Sequence, residues 1–396
     1  MLKQSTIWKF DEALPFLQKI DNGYEPNKNE LARLSSVTSL QGHIPSDVQN
    51  LPSSISLLKN LQELDLSWTA IQDFSFLANF TDLLELDLCG SPIKSIEVLS
   101  CLSKLERLDL GDTQVENTDA LANLKNLQEL DLSSSQVVDV RSLSELTNLQ
   151  SLDLSDTPVT SISALAQLTN LHTLNLSNTQ ITNVDGLQDL SNLEILDLTR
   201  TRISNISALS KLKELTELNL GYTHITEIDV LSGLTNLEKL DLKFSRITSV
   251  CALAPLKKLE NLHLGGTQLT DVDSLANLKN LSTLNLNKAS VVRINGLSSL
   301  DNLRELFLGG TKITCIDSLA CLINLKGLAL WDTEITSVEK LAGLINLSTL
   351  AIQDTNVSSL DCLFPLKNLE VLYVGGTPIN ELPSWLGDLK HLRRLD

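Results

Sequence analysis

The stretch LQSLDLSDTPVTSISALAQLTN, residues 149–170, decides the fold, because the next 22 residues, LHTLNLSNTQITNVDGLQDLSN, repeat the same pattern. Self-similarity at a fixed period of this length predicts a stack of similar units rather than several globular domains. A fifteenth unit begins at Leu369 and is one residue longer than the others. The fourteen units of 22 residues begin at Leu61, Leu83, Leu105, Leu127, Leu149, Leu171, Leu193, Leu215, Leu237, Leu259, Leu281, Leu303, Leu325 and Leu347.

Each unit alternates apolar and polar residues over its first six positions, which is the period of a β-strand. In the unit that begins at Leu149, this alternation predicts that Leu152 and Leu154 point inward and Asp153 outward. The apolar residues of its second half are three positions apart, as in a 3₁₀ helix: Val159, Ile162, Leu165 and Leu168. Stacking of such units predicts a parallel sheet with strands about 4.8 Å apart.

The consensus L-x-x-L-x-L-x-x-T-x-I-x-x-I-x-x-L-x-x-L-x-x resembles the leucine-rich-repeat family in its short 22-residue class. Internalins, a regulatory subunit of protein phosphatase-1 and Roco proteins have repeats of this class. The resemblance implies an α/β solenoid that binds proteins: a right-handed superhelix with a concave parallel sheet and a convex side of 3₁₀ or irregular helical segments. This chain differs at position 9, where the family places Asn and every unit except that of Ala289 has Thr or Ser. A hydroxyl donates one hydrogen bond and an amide two, so we expect fewer bonds between repeats there.

We divide the chain into a cap at residues 1–60 and a repeat domain at residues 61–396, with about 15 repeats, the last incomplete. The segments IWKFDEALPFLQKI (7–20) and NKNELARLSSV (27–37) predict cap helices, and Pro15 should limit or kink the first. The segment IPSDVQNLPSSISLLKNL (44–61) has the pattern of a degenerate repeat. At the other end, LRRLD (392–396) opens a new strand without a polar capping helix, so we expect a further C-terminal part.

The net charge of −18 and the pI of about 4.7 argue against nucleic acid and anionic membranes as partners, since both require clusters of Lys and Arg. Six cysteines without a C-x-x-C pair predict reduced thiols rather than disulfides or a zinc site. The N-terminal residues have no apolar signal core, and no apolar stretch is long enough to cross a membrane. We therefore expect a cytoplasmic monomer without cofactor or metal, or a bacterial effector delivered into a host cell.

Residues that depart from the consensus are the candidates for function, because the consensus positions are used in folding. Position 5 carries an unbroken row of acidic residues on the first five strands: Asp65, Asp87, Asp109, Asp131 and Asp153. The row has two interpretations: a common consensus letter of the family, or a track for a basic ligand that relieves the repulsion between carboxylates.

A basic and aromatic patch occupies positions 7, 8 and 10 of three successive repeats in the middle of the chain. Arg and Tyr are enriched at binding hot spots, although aromatic and guanidinium groups also stack on each other without a ligand. An apolar strip further along replaces the acidic row and marks either a contact surface or the site of a missing C-terminal domain. The predicted partner-binding residues are Arg200, Arg202, Tyr222, His224, Lys243, Phe244 and Arg246 in the patch and Phe307, Trp331 and Tyr373 in the strip.

One pair suggests catalysis, because His263 follows Asp241 on the adjacent predicted strand. Position 7 of that repeat is Gly265, so no nucleophile follows, and a sheet surface offers no closed pocket. No P-loop or G-x-G-x-x-G motif occurs. We therefore predict a non-catalytic scaffold that binds a partner protein on its concave face. The alternative, favoured by the end of the chain, is a recognition module of a larger enzyme, such as a Roco GTPase or a bacterial effector ubiquitin ligase.

Overall fold

The computed structural model describes residues 6–396, and residues 1–5 of the predicted cap lie outside the described part of the chain. The chain forms two compact units, Met1–Ile195 and Leu196–Asp396. Each unit consists of repeats that contain a short strand, a turn and a 3₁₀ helix, as the change of period within each repeat predicts.

The first unit opens with strand β1 (Ile7–Lys9) and the helices α1 (Phe10–Asp21) and α2 (Lys28–Ser36). The first predicted helix is therefore shorter at its start, because residues 7–9 pair in parallel with β2 (Ser39–Gln41) instead. Pro15 lies inside α1 and does not end it. At the start of α2 the Asn27 side chain accepts hydrogen bonds from the backbone, and this capping box confirms the second predicted helix.

The remaining strands of the first unit pair in parallel from each repeat to the next, with leucine opposite leucine at position 4. They are β3 (Glu63–Asp65), β4 (Glu85–Asp87), β5 (Arg107–Asp109), β6 (Glu129–Asp131), β7 (Ser151–Asp153) and β8 (Thr173–Asn175), and the unit boundary falls within β9 (Ile195–Asp197). Its 3₁₀ helices are Ser53–Leu57, Ser75–Asn79, Glu97–Cys101, Asp119–Asn123, Arg141–Glu145, Ser163–Gln167 and Asp185–Leu187.

The second unit continues the same arrangement with the same parallel register. Its strands are β10 (Glu217–Asn219), β11 (Lys239–Asp241), β12 (Asn261–His263), β13 (Thr283–Asn285), β14 (Glu305–Phe307), β15 (Gly327–Ala329), β16 (Thr349–Ala351), β17 (Val371–Tyr373) and β18 (Arg394–Leu395). Its 3₁₀ helices are Ser207–Lys211, Asp229–Gly233, Cys251–Leu253, Asp273–Asn277, Asn295–Ser299, Asp317–Cys321, Glu339–Leu341, Asp361–Leu363 and Ser384–Asp388.

The consensus apolar residues form the core of every repeat. In the repeat that begins at Leu149, the side chains of Leu152, Leu154, Val159, Ile162, Leu165 and Leu168 are all buried, as predicted. The strand covers only positions 3–5, which is shorter than the six-residue alternation suggests. Positions 7 and 8, which the sequence assigns to the outward face of the strand, therefore lie in the turn that follows it.

Position 8 of all fifteen repeats has a left-handed backbone conformation, with φ between +51° and +71°. In most repeats an Asp or Asn at position 5 stabilises this turn, because its Oδ1 accepts a hydrogen bond from the backbone N–H of position 7. The donor–acceptor distance is 3.0 Å from Ser67 to Asp65 and 2.8 Å from Lys243 to Asp241. The position-8 residue follows this bond directly, so the turn and the position-5 side chain belong to one local structure.

Two side-chain positions complete the repeat. The Thr or Ser hydroxyl at position 9 donates to the carbonyl three residues earlier, as from Thr157 to Leu154 at 2.5 Å, so it closes a turn within one repeat. An Asn at position 22 supplies bonds between repeats, because its Nδ2 donates to a carbonyl in the preceding repeat, as from Asn170 to Thr147 at 2.8 Å. Eleven asparagines make this bond over 2.6–3.0 Å.

Candidate functional site

Three successive repeats of the second unit carry Arg200, Tyr222 and Phe244 at position 8, and we call these three residues the aromatic column. The rings of Tyr222 and Phe244 stack with centroids 4.7 Å apart and planes 16° apart. The Arg200 Cζ lies 5.3 Å from the Tyr222 ring centroid, and the Phe244 ring covers Gly266, where an added Cβ would overlap it. The column therefore covers the ring faces, and the ring edges remain accessible, with Tyr222 40% and Phe244 45% exposed.

The backbone of the aromatic column is unfavourable for its side chains. The φ angles of Arg200, Tyr222 and Phe244 are +58°, +57° and +53°, in the region that Gly, Asn and Asp adopt most readily. Each such residue costs about 1–2 kcal/mol. The ring stack and the cation–π contact together contribute about 1–2.5 kcal/mol in exposed positions, so they offset part of the backbone cost. The stacking that the sequence offers as an alternative to binding is present, and it does not by itself explain these residues.

Lys243 lies at position 7 between the column and the sheet. Its Nζ is 5.9 Å from the Tyr222 ring centroid and 2.7 Å from Asp241 Oδ2, so a predicted binding residue is already engaged in an ion pair. His263 Nδ1 is 3.9 Å from the same Asp241 oxygen, which is longer than a hydrogen bond. Both oxygens of Asp241 therefore serve Lys243, and the His263–Asp241 pair lacks the geometry of a catalytic dyad in this structure.

The other predicted cations of the patch, Arg202, His224 and Arg246, are exposed at position 10 of the same three repeats. Their backbones join successive repeats, since the N–H of His224 donates to the preceding repeat at 2.9 Å. The sequence analysis missed Lys288 and Lys312, which occupy positions 8 and 10 further along the same row and are also exposed. Tabulating positions 8 and 10 over all repeats, rather than only around the aromatic residues, would have found both.

The apolar strip is contiguous on the sheet but its aromatic residues do not meet. Phe307 and Tyr373 are half-buried at position 5 and are joined in register through two alanines on the intervening strands. Trp331 lies at position 7 and packs on Gly309, where an added Cβ would overlap the indole. The guanidinium of Arg394 covers Tyr373, with its Cζ 5.0 Å from the ring centroid. Among the described residues no ring contact joins these three aromatic side chains.

The acidic row of the first unit lines an open groove of about 510 Å³, and Arg107 is the one basic residue among its lining side chains. Its carboxylates are turn caps: the backbone N–H of Gly111 donates to Asp109 at 2.8 Å, and that of Ser133 donates to Asp131 at 2.7 Å. This supports the interpretation of the row as a structural consensus. Burial also raises the pKa of Asp109 to about 6, with the carboxylates of Asp131 and Asp87 acting in the same direction and the Gly111 hydrogen bond against it.

Neither a metal nor a membrane site is defined within residues 6–396. No group of three or more His, Cys, Asp or Glu side chains in this range is arranged to hold a metal ion. No helix in the described part of the chain has the length and apolar character needed to span a bilayer. The cysteines of this part are all free.

Comparison with known proteins locates the family in the repeats. A family model described as leucine-rich repeats in two copies matches residues 103–146, 125–167, 147–188, 169–211 and 213–255, and a single-repeat model matches residues 58–73. No curated protein sequence matches the chain. The matches to the family models overlap the region in which the 22-residue period is most regular.

Solved structures resemble both the fold and its extent. A leucine-rich-repeat protein of Leptospira interrogans superposes with a TM-score of 0.84 at 26% identity, over 94% of this chain and 99% of that chain. An internalin of Listeria monocytogenes gives a TM-score of 0.70 at 26% identity, over 84% of this chain and 92% of that chain. The TLR13–ssRNA13 complex gives 0.71 at 24% identity over 92% of this chain and 58% of that chain, which is a likeness of fold alone.

The repeat geometry, the family models and these structures together identify the chain as a leucine-rich-repeat protein. Proteins of this fold are generally non-catalytic scaffolds, and the fold suggests that this chain is a protein-interaction scaffold.

Proposed function

We propose that the protein binds a partner protein, and that the aromatic column of Arg200, Tyr222 and Phe244 is the centre of the contact surface. The observation that carries this proposal is the backbone of the column: three bulky residues occupy a left-handed turn that Gly, Asn or Asp occupies in most other repeats. Strain of this kind persists where a side chain has a function that outweighs its cost. The neighbouring sheet face, which the family resemblance predicts to be concave, provides the area for the rest of the partner.

Two further features belong to the same proposal. The free cysteines support a reducing environment, so we propose that the protein acts in the cytoplasm as a monomer. The strip of Phe307, Trp331 and Tyr373 supplies a second contact area, because apolar surface on a sheet face is typical of interfaces. The ion pair of Lys243 with Asp241 keeps that lysine out of direct contact with the partner.

The test is selection of binding peptides from a random displayed library on the immobilised full chain. Glycine retains the left-handed turn, so the double variant Tyr222→Gly/Phe244→Gly removes the rings without disturbing the backbone. We expect peptides enriched by the parent to lose about tenfold or more of their enrichment on this variant.

Trp68 provides a matched control, because it is an exposed aromatic residue at position 8 with φ of +53° in the other unit. Trp68→Gly should leave peptide enrichment unchanged. Equal enrichment by the parent and the double variant, with both folded by circular dichroism, would show that the column is not the binding surface.

A further inference from the structure

The turn edge of the second unit is basic although the protein is acidic. Within the repeats that begin at Leu193 to Leu303, positions 7, 8 and 10 contain no Asp or Glu. Positions 8 and 10 of these repeats carry five Lys or Arg side chains, which we call the cationic edge: Arg200, Arg202, Arg246, Lys288 and Lys312. All five are exposed, and His224 lies among them. A local surplus of cations in a chain of net charge −18 is a specific feature of this edge.

The cations of this edge have no internal counter-ions. Elsewhere basic side chains pair with carboxylates, as Lys104 does with Asp82 and Lys239 with Glu217. Within residues 6–396, no carboxylate forms an ion pair with any member of the cationic edge. The edge spans five repeat spacings from Arg202 to Lys312, or about 24 Å, which is the length of about seven residues of extended chain. It is therefore long enough to hold a segment of a partner.

The aromatic column adds a preference for anions over stacked bases. Tyr222 lies between Arg200 and Phe244, and Phe244 lies between Tyr222 and Gly266, so the ring faces are occupied. Nucleobases bind single-strand platforms through exposed ring faces. Ring edges carry the positive part of the aromatic quadrupole and attract carboxylates. The Tyr222 hydroxyl makes no hydrogen bond within the described residues and can donate to an incoming oxygen.

We infer that the partner presents an acidic segment, rich in Asp or Glu, which lies along the cationic edge with its carboxylates against Arg200, Arg246 and the edges of the column. This inference rests on the proposed function and adds the chemistry of the partner to it. Charge complementarity of this kind sets specificity and the rate of association more than the final affinity.

The experiment measures fluorescence anisotropy of labelled probes with the full chain. The probes are a peptide of alternating Glu and Gly, the same peptide with Gln in place of Glu, and an oligouridine of similar length. We expect the Glu peptide to bind about tenfold or more tightly than the Gln peptide at low salt, and to weaken as salt rises. The variant Arg200→Glu/Arg246→Glu should lose about tenfold or more in affinity for the Glu peptide.

A matched charge reversal on the same unit, Lys326→Glu/Lys367→Glu, keeps the net charge equal to that of the test variant and lies outside the cationic edge. It should change the affinity less than about twofold. Equal binding of the Glu and Gln peptides, equal loss in both double variants, or tighter binding of oligouridine would overturn the inference. If library peptides depend on Tyr222 and Phe244 but are not acidic, the proposed function stands and this inference fails. If no peptide depends on the column, the proposed function fails first.

Discussion

The left-handed turn at position 8 makes a quantitative prediction at Lys288. This residue has φ of +60°, is exposed and forms no ion pair within the described residues. Its substitution by glycine relieves about 1–2 kcal/mol of backbone strain. Glycine also gives the unfolded chain more freedom, which costs about 0.5–1 kcal/mol. The expected result is that Lys288→Gly stabilises the protein by about 0.5–1 kcal/mol.

Lys367 is the control, because it is an exposed lysine of the same unit and is absent from the set of residues with positive φ. Lys367→Gly carries the entropic cost without the relief, so it should destabilise by about 0.5–1 kcal/mol. The two variants should therefore differ by about 1–2 kcal/mol. With a urea dependence of about 3 kcal/mol per molar, the midpoints should lie about 0.3–0.7 M apart.

The assay is urea unfolding followed by far-ultraviolet circular dichroism, with the parent and both variants measured side by side. If Lys288→Gly lowers the midpoint as much as Lys367→Gly does, the turn at position 8 is not strained. The argument that the aromatic column persists because it has a function would then lose its premise, since Tyr222 and Phe244 occupy the same conformation.

Three further outcomes follow from the repeat. The folded-state pKa of Asp109 is about 6 and its unfolded value about 3.9, so stability falls as pH rises from about 4 to above 6; Asp109→Asn keeps the turn acceptor and should raise the urea midpoint more at pH 7.5 than at pH 4. Asn170→Ala removes a bond between repeats and should cost about 1 kcal/mol in urea unfolding, whereas Glu214→Ala at the equivalent position should be neutral. Gly309→Ala should displace the indole packed on it and shift tryptophan fluorescence, whereas Gly375→Ala, with open space around its Cβ, should not.

The sequence contains the core and the order of elements because these depend on local periodicity. The burial of Leu152, Leu154 and Val159 follows from spacings of two and three residues, and helix α2 follows from the capping residues Asn27 and Glu30. The strand β1 does not follow from its own residues, because it exists only through pairing with a segment 32 residues later. Tertiary pairing of this kind is invisible to a periodic pattern, so Ile7 was assigned to a helix.

The candidate site was predictable as a neighbourhood and not as a geometry. A fixed period places Tyr222 beside Phe244 on adjacent repeats, and the ring stack follows from that placement. The left-handed backbone could have been inferred from position 8 of other repeats, where Gly90, Asp112 and Asn178 are residue types that favour it. The ion pair of Lys243 with Asp241 depends on side-chain rotamers, which the sequence pattern does not determine.

The acidic consensus and the unusual residues of position 8 are connected through the same turn. The bulky residues with a left-handed backbone all follow an Asp or Asn at position 5: Trp68 after Asp65, Arg200 after Asp197, Tyr222 after Asn219, Phe244 after Asp241 and Lys288 after Asn285. In four of these repeats the position-5 oxygen accepts the N–H of position 7 over 2.7–3.0 Å. This bond stabilises the turn that the bulky residue strains.

Repeats without this acceptor show the opposite choice. His263, Phe307 and Tyr373 occupy position 5 and cannot cap the turn, and in these repeats positions 7 and 8 are both glycine: residues 265–266, 309–310 and 375–376. A repeat can therefore carry a large side chain on the sheet face at position 5 or on the turn edge at position 8, but the same turn does not support both. This trade-off separates the apolar strip from the cationic edge, and it gives each surface its own place in the repeat.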